Sequence, residues 1–509
     1  MPVYIARRLV VSFFILLAAT ALVFWLVSIS GDPLEDLYAD PSPDRQTRIE
    51  ERVRRLHLDE PLPQRYLRWL AGVSGCVLPG RPCDLGTNRS GQDVGVLLGQ
   101  AAGTTLRLVL AATLLAILLG VGVGILSALR QYSGFDYGIT FTAFLFFSLP
   151  LFWVAVLLKQ YLAIDFNNWW AQPRISPVVM VGLGGLAGLV VPAVLGGDRR
   201  RRLWAGIGAA AVTVLVLAYL SAVEWFAAPA LGPVLVPLLS VACAVGLTWL
   251  LAGLRDRAVL RSALVTVVVA NLAGFALAPV LVDPTWALIG LLAVLTVVVG
   301  SAIGVLTGGL DRALAARVSV LSGLATGGWI FLDHVLSAVH GYGRLVSGRL
   351  VATIGSGTPN FTGDFWERFL DVAAHLALPT LAIMLISFAG YSRFTRATML
   401  EVLTQDYVRT ARAKGLPERT VVLRHAFRNA LIPLTTLVAL DFGGVIGGAV
   451  ITEEVFGWHG MGSLFVTGLM QRDPNPVMGF FVLTAVSLVV FNLLADVAYA
   501  YLDPRIRMS

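Results

Sequence analysis

The chain has 509 residues, 57% of them hydrophobic and only 14% charged, with a mean hydropathy of +0.78. Soluble domains carry about 25% charged residues, so an ordinary cytosolic or secreted enzyme is excluded, and apolar runs of about 20 residues recur from end to end, which makes lipid the solvent for most of the chain. The 38 Lys and Arg outnumber the 31 Asp and Glu, but they gather in short links between apolar runs, where they report membrane orientation and not nucleic-acid contact.

The first run, about 9–29, follows Arg7 and Arg8. It exceeds a signal-peptide core in length and no small-x-small cleavage site follows it, so it predicts a retained transmembrane helix with its N-terminus in the cytoplasm. Residues 30–103 are polar and form the one long extracytoplasmic segment. Cys76 and Cys83 lie in it and could close a small disulfide, which spacing alone leaves open, whereas Cys243 in an apolar run is a small core residue. Further spans are predicted near 104–128 and 138–163, then six near 176–197, 203–223, 233–252, 260–281, 285–307 and 317–337, and three near 373–393, 429–450 and 477–501. The expectation is an all-α, polytopic membrane protein of about twelve transmembrane helices with both termini in the cytoplasm. Charges agree with that topology: Arg130, Arg199 to Arg202, Arg255, Arg257, Arg261, Arg312, Arg317 and a dense group between Arg393 and Arg428 fall on the cytoplasmic side. The short outside links hold only Arg174, Arg344, Arg349, Arg368 and Arg472. The block 164–372 is rich in Ala, Gly, Val and Leu and reads as poor in buried polar residues. Its run Gly182-Leu183-Gly184-Gly185-Leu186-Ala187-Gly188 is read as close helix packing, since a dinucleotide fingerprint needs a strand–turn–helix context.

The loop 394–428 differs from the other links. From Arg396 to Lys414 it holds good helix formers without Gly or Pro, and Gly415 with Pro417 supplies a stop. Leu400, Leu403, Tyr407 and Ala411 share one face of the amphipathic helix this predicts.

Arg409-Thr410-Ala411, then Gly415, then Leu431-Ile432-Pro433 resemble the EAA coupling loop of permease subunits of binding-protein-dependent ABC importers. Departure at the first two positions is typical of the dipeptide, oligopeptide and nickel branch, which the string Gln405 to Gly415 resembles closely. Leu56-His57-Leu58-Asp59-Glu60-Pro61, Ser148-Leu149-Pro150-Leu151-Phe152-Trp153, Leu378-Pro379-Thr380-Leu381 and Glu454-Val455-Phe456-Gly457-Trp458-His459-Gly460 agree with that branch and occur in its order. The resemblance covers about 1–163 and 373–509 and implies a six-helix type I importer core, into which 164–372 inserts six more helices. It further implies a bacterial cell-membrane subunit that pairs with a second homologous permease, two cytoplasmic ATPases and an extracytoplasmic solute-binding protein, and that moves small peptides by alternating access. Nickel chelates or glutathione-like solutes are the alternatives within the branch. Docking of the loop on an ATPase would then place Tyr407, Ala411 and Gly415 in close contact, with Arg409, Thr410, Arg412 and Lys414 around them; the binding protein would meet 30–103 and 452–476.

A P-loop needs Gly immediately before its Lys, but Lys159 follows Leu158 and Lys414 follows Ala413. ATP and Mg therefore belong on partner chains, and no cofactor, metal or catalytic residue is expected on this one. The six histidines are scattered, and His334 and His340 fall on different helical faces. Asp441, near the middle of a span, is a candidate pathway residue or one half of a buried structural pair. An ion-coupled secondary carrier is the rival class, which intramembrane carboxylates or half-helices would favour.

Overall fold

The computed structural model describes residues 2–76, 80, 82–309 and 311–502. Among the described residues the chain is helical, its sole β feature being a bridge between Thr87 and Asp93. Ten helices there are long and apolar enough to cross a membrane, or eleven if one bent pair counts as a span. The expected span near 429–450 is the helix Phe427–Gly448, which adds the short apolar stretch Pro433–Phe442 to those ten or eleven among the described residues, in keeping with a polytopic protein of about twelve helices.

The contacts divide the chain into two units, Met1–Gln160 with Thr353–Ser356 and Leu376–Ser509, and Tyr161–Ala352 with Gly357–His375. In the first unit Val94–Leu129 begins ten residues earlier than hydropathy placed it, because Asp93 accepts a hydrogen bond from the Val96 amide at 3.1 Å and so caps the first turn. The span expected at 138–163 is not straight. Gly134–Ser148 and the helical run Leu151–Trp170 meet at 105° across Leu149 and Pro150, where Pro150 lacks the amide that would continue the ladder and its ring disfavours helical geometry for Leu149. The helix Phe365–Leu403 carries its first turns in the second unit and the rest in the first, and runs ten residues beyond the predicted span without a break at Arg396.

In the second unit Pro177–Leu195 pairs with Arg199–Ala222. Gly184 and Gly188 face Ala210 and Gly206 there, at a separation with little room for a side chain. Gly232–Leu251, Arg257–Ala276, Trp286–Thr307 and Arg312–Leu345 form a second bundle around Ala244, Val259, Ala263, Val267, Ala315 and Val318. This core also buries Ser240, Thr248, Ser262, Thr266, Ser322 and Thr326, which corrects the expectation of few buried polar groups. Each hydroxyl donates to the carbonyl four residues earlier at 2.7–2.9 Å, so it is satisfied within its own helix and the small side chain lets helices approach. At Gly304 the approach leaves no room for a side chain: a Cβ would lie 2.3 Å from the Ala316 Cα. Gly304→Leu is expected to force Trp286–Thr307 off its neighbour and to cost more than about 2 kcal/mol, read as a lower unfolding midpoint of the purified chain, with Gly290→Leu, which meets open space, as the neutral control.

Candidate functional site

Helix Phe365–Leu403 ends where Thr404 and Gln405 turn back, their amides donating to Glu401 and Val402 carbonyls. Gln405 is extended (ψ 148°) and a new helix, Asp406–Ala413, starts behind it. Asp406 in its first turn and Arg412 in its last match the helix dipole. Gly415 closes it at φ +76°, with the Gly415 amide donating to the Arg412 carbonyl at 2.9 Å, a left-handed stop that residues with a Cβ adopt only at a cost. The chain then re-enters through Glu418–Thr420 and the π-helical turn Val421–Ala426 into Phe427–Gly448.

The break at Thr404 and Gln405 changes which face is buried. Val408 (0% exposed) and Ala411 (6%) pack with Ala128, Met399, Val421, Val422, Ala426 and Ala430, and Leu400 and Leu403 lie against that core. Tyr407, expected on the same face as Ala411, is 40% exposed, and Arg409, Thr410, Arg412, Lys414 and Gly415 are exposed with it. Ala411 thus holds the short helix on the chain's own core, on the side away from Tyr407. The outer turn is braced by Arg412, whose guanidinium donates to both Glu418 carboxylate oxygens at 2.7 and 3.1 Å and holds that carboxyl below its usual range. The pair is exposed, so its worth is geometric more than energetic.

Beneath this turn lies an ion pair that the sequence reading missed. Asp136, 2% exposed, accepts from the Arg396 guanidinium at 2.6 and 2.8 Å, from the Ser127 hydroxyl and from the Tyr132 amide at 3.0 Å. It ties the link 130–134 to the base of the helix that leads into the loop. Asp441 accepts from the Tyr391 hydroxyl at 2.8 Å, so it has a structural partner on Phe365–Leu403.

At 450–475 the chain makes two short helices, Val450–Phe456 and Met461–Met470. Glu453, fully buried, accepts from the Thr105 hydroxyl at 2.6 Å and from the Gly462 and Ser463 amides at 2.7 and 3.1 Å, an anion set on a helix N-terminus. Burial pushes its carboxyl up despite these donors. Lys159, within the second segment of the bent pair, donates to the Val455 carbonyl at 3.2 Å. Glu453→Ala is expected to cost about 2–3 kcal/mol by leaving buried donors unmet, whereas Glu453→Gln, neutral and still an acceptor, should stay within about 1 kcal/mol of wild type; thermal unfolding of both variants checks the difference. Next to it, segment 31–98 docks on 471–475: the Arg89 amide donates to buried Asp473 at 2.5 Å, its guanidinium reaches Asp36 and the Gln471 carbonyl, Arg472 pairs with Glu35, and Asn475 donates to the Thr87 carbonyl at 2.7 Å. Burial pushes the Asp473 carboxyl up. In the same segment Cys76 and Cys83 are joined by a disulfide. The stretches 30–103 and 452–476 thus share one surface within this unit.

Residues 336–508 match the family described as binding-protein-dependent transport system inner membrane component. The chain is 46% identical over 155 residues to the oligopeptide transport system permease protein OppB of Mycobacterium tuberculosis, covering 30% of this chain and 48% of the relative. It is 43% identical over 140 residues to the dipeptide transport system permease protein DppB of Escherichia coli, covering 28% and 41%. Along an alignment of 509 residues it is 27% identical to the oligopeptide transport system permease protein AppB of Bacillus subtilis, covering 99% of each. The strongly similar stretch therefore spans about half the length of the mycobacterial relative.

Proposed function

We propose that this chain, whose residues 336–508 belong to the family of binding-protein-dependent transport system inner membrane components, is the membrane-spanning permease subunit of an ABC importer that moves small peptides into the cytoplasm. The observation that carries the reading is the turn 404–418: a short helix clamped from within by Val408 and Ala411, presenting Tyr407, Arg409, Thr410, Lys414 and Gly415 outward. Such a face suits a groove on an ATPase, and its anchoring on Met399, Ala128 and Ala426 lets a push on the turn move the spans as a body. Arg412, engaged with Glu418, shapes the turn from its rim.

In this reading two ATPase chains carry ATP and Mg, a second permease completes the pathway, and a solute-binding protein delivers peptide to the surface shared by 30–103 and 452–476. Both termini and the 404–418 turn face the cytoplasm, in keeping with the distribution of arginines. Residues 1–163 and 373–509 form the permease core, and 164–372 is accessory to it. Peptide is favoured over nickel chelates or glutathione-like solutes because the relatives in hand are named for oligopeptide and dipeptide transport. Asp441, hydrogen-bonded to Tyr391, contributes first to helix pairing, which leaves little support for an ion-coupled carrier. Purification of the tagged full chain from its native membrane in mild detergent, followed by mass spectrometry, is expected to recover a second permease, ATPase chains and a solute-binding protein. A stable preparation without any ATPase, together with uptake that an uncoupler abolishes at constant ATP, would overturn the reading in favour of a carrier.

A further inference from the structure

The helix Arg257–Ala276 carries a feature that the importer reading leaves unassigned. Arg257, Arg261, Leu264, Val265, Val268 and Leu272 recur at helical spacing along one side of it, and Val265, Val268 and Leu272 are 38%, 56% and 63% exposed. Arg257 and Arg261 with Leu260, Leu264, Val265 and Val268 line a groove of about 600 Å³. The groove meets a second, apolar cavity of about 500 Å³ at Val269, which lines both. That cavity opens between Arg257–Ala276, Trp286–Thr307 and Arg312–Leu345, where Gly327 and Gly328 in its wall meet open space and Phe331 closes one part of it. Two carboxylates lie near the mouth and each is turned onto a helix start, Asp256 accepting from the Ala258 and Val259 amides at 3.1 and 3.2 Å and Asp311 from the Leu314 amide at 3.0 Å, while Arg261 reaches the Thr307 carbonyl at 3.5 Å and remains exposed.

We propose that this groove and cavity hold one anionic phospholipid, its phosphate on Arg257 and Arg261, one acyl chain along Leu264, Val265 and Val268, and the other turned at Val269 into the cavity. The length fits: from Arg257 to Leu272 the helix rises about 22 Å, which matches one leaflet including its headgroups, about 20–22 Å. The chemistry fits as well, since guanidinium groups take phosphate oxygens in pairs and basic pockets between membrane helices suit anionic headgroups. The lining of the cavity is mainly apolar, which suits an acyl chain, and charge at its mouth selects the anionic lipid over the zwitterionic one.

The test is native mass spectrometry of the purified full chain with phosphatidylglycerol or phosphatidylcholine of identical acyl chains, counting lipid retained as collision energy rises. Wild type is expected to favour phosphatidylglycerol by roughly 10- to 30-fold. Arg257→Gln/Arg261→Gln, at exposed positions, should lose that preference, Arg199→Gln/Arg200→Gln on another link should keep it, and Val268→Trp, which fills the groove without touching the charges, should reduce retention of both lipids. Equal retention of the two lipids by wild type, an undiminished preference in the Arg257→Gln/Arg261→Gln protein, or an equal loss in the Arg199→Gln/Arg200→Gln control would overturn the proposal. The readout is independent of transport, so it stands or falls apart from the importer reading.

Discussion

Gly415→Val should leave the chain inserted, folded and present at wild-type level, yet reduce ATP-driven peptide uptake by the reconstituted complex to background. At φ +76° a β-branched residue is strained by about 1–2 kcal/mol, and the chain avoids that strain most easily by unwinding the Arg412–Glu418 turn, which is exposed and packs on nothing at Gly415. The core beneath it, from Val408 to Ala430, need not move, so stability changes little while the outward face loses its shape. Gly415→Asn, which tolerates the left-handed region, should retain substantial uptake, and Gly415→Asp should fall near Val because it also places a carboxylate among Arg409, Arg412 and Lys414. Uptake assayed in proteoliposomes, beside detergent thermal unfolding of the same samples, separates the two effects. Wild-type uptake by Gly415→Val would remove the turn from the coupling route.

Arg396→Ala should act in the opposite sense, on the fold itself. It strips the guanidinium from Asp136, whose side chain is 2% exposed, and an uncompensated buried carboxylate costs about 3–5 kcal/mol. The partner variant Asp136→Ala leaves Arg396, 28% exposed, able to reach water, so it should be milder. Removing both should cost less than the sum of the single changes, because the second substitution takes away the charge that the first left stranded. Unfolding midpoints of the three proteins close the cycle; strictly additive losses would mean that the pair contributes packing alone.

Hydropathy and arginine placement located the membrane helices to within a few residues at most of their ends, because burial in lipid depends on local composition. What composition could not locate was anything decided by a distant partner. Tyr407 and Ala411 share a face in an unbroken helix, but the core supplied by Met399, Ala128 and Val422 selects Val408 and Ala411 and turns Tyr407 out; the pair Val408 and Ala411, three apart behind Gln405-Asp406, was the legible signal. Asp136 and Arg396 are 260 residues apart and neither stands out in its own segment. Glu453 reads as one acid before a glycine-rich turn until Thr105 and the start of Met461–Met470 close around it. Ser148-Leu149-Pro150 carried its proline in plain view, and only its consequence for the path of the chain went unread.

That consequence extends to the medium around the helices. A continuous helix conceals its backbone dipoles, but one that turns through 105° at Pro150 satisfies only some of them locally: the Pro150 carbonyl accepts from the Trp153 and Val154 amides at 3.0 and 3.2 Å and the Leu145 carbonyl from the Ser148 hydroxyl at 2.9 Å, while the other end groups of the two segments fall outside the helical ladder. Hydrocarbon cannot answer them, and each unmet group costs several kcal/mol there. Phe147, Phe152 and Trp153 flank the turn with their side chains exposed and offer it little polar company, so another polypeptide or a file of water must cover it in the assembled membrane protein.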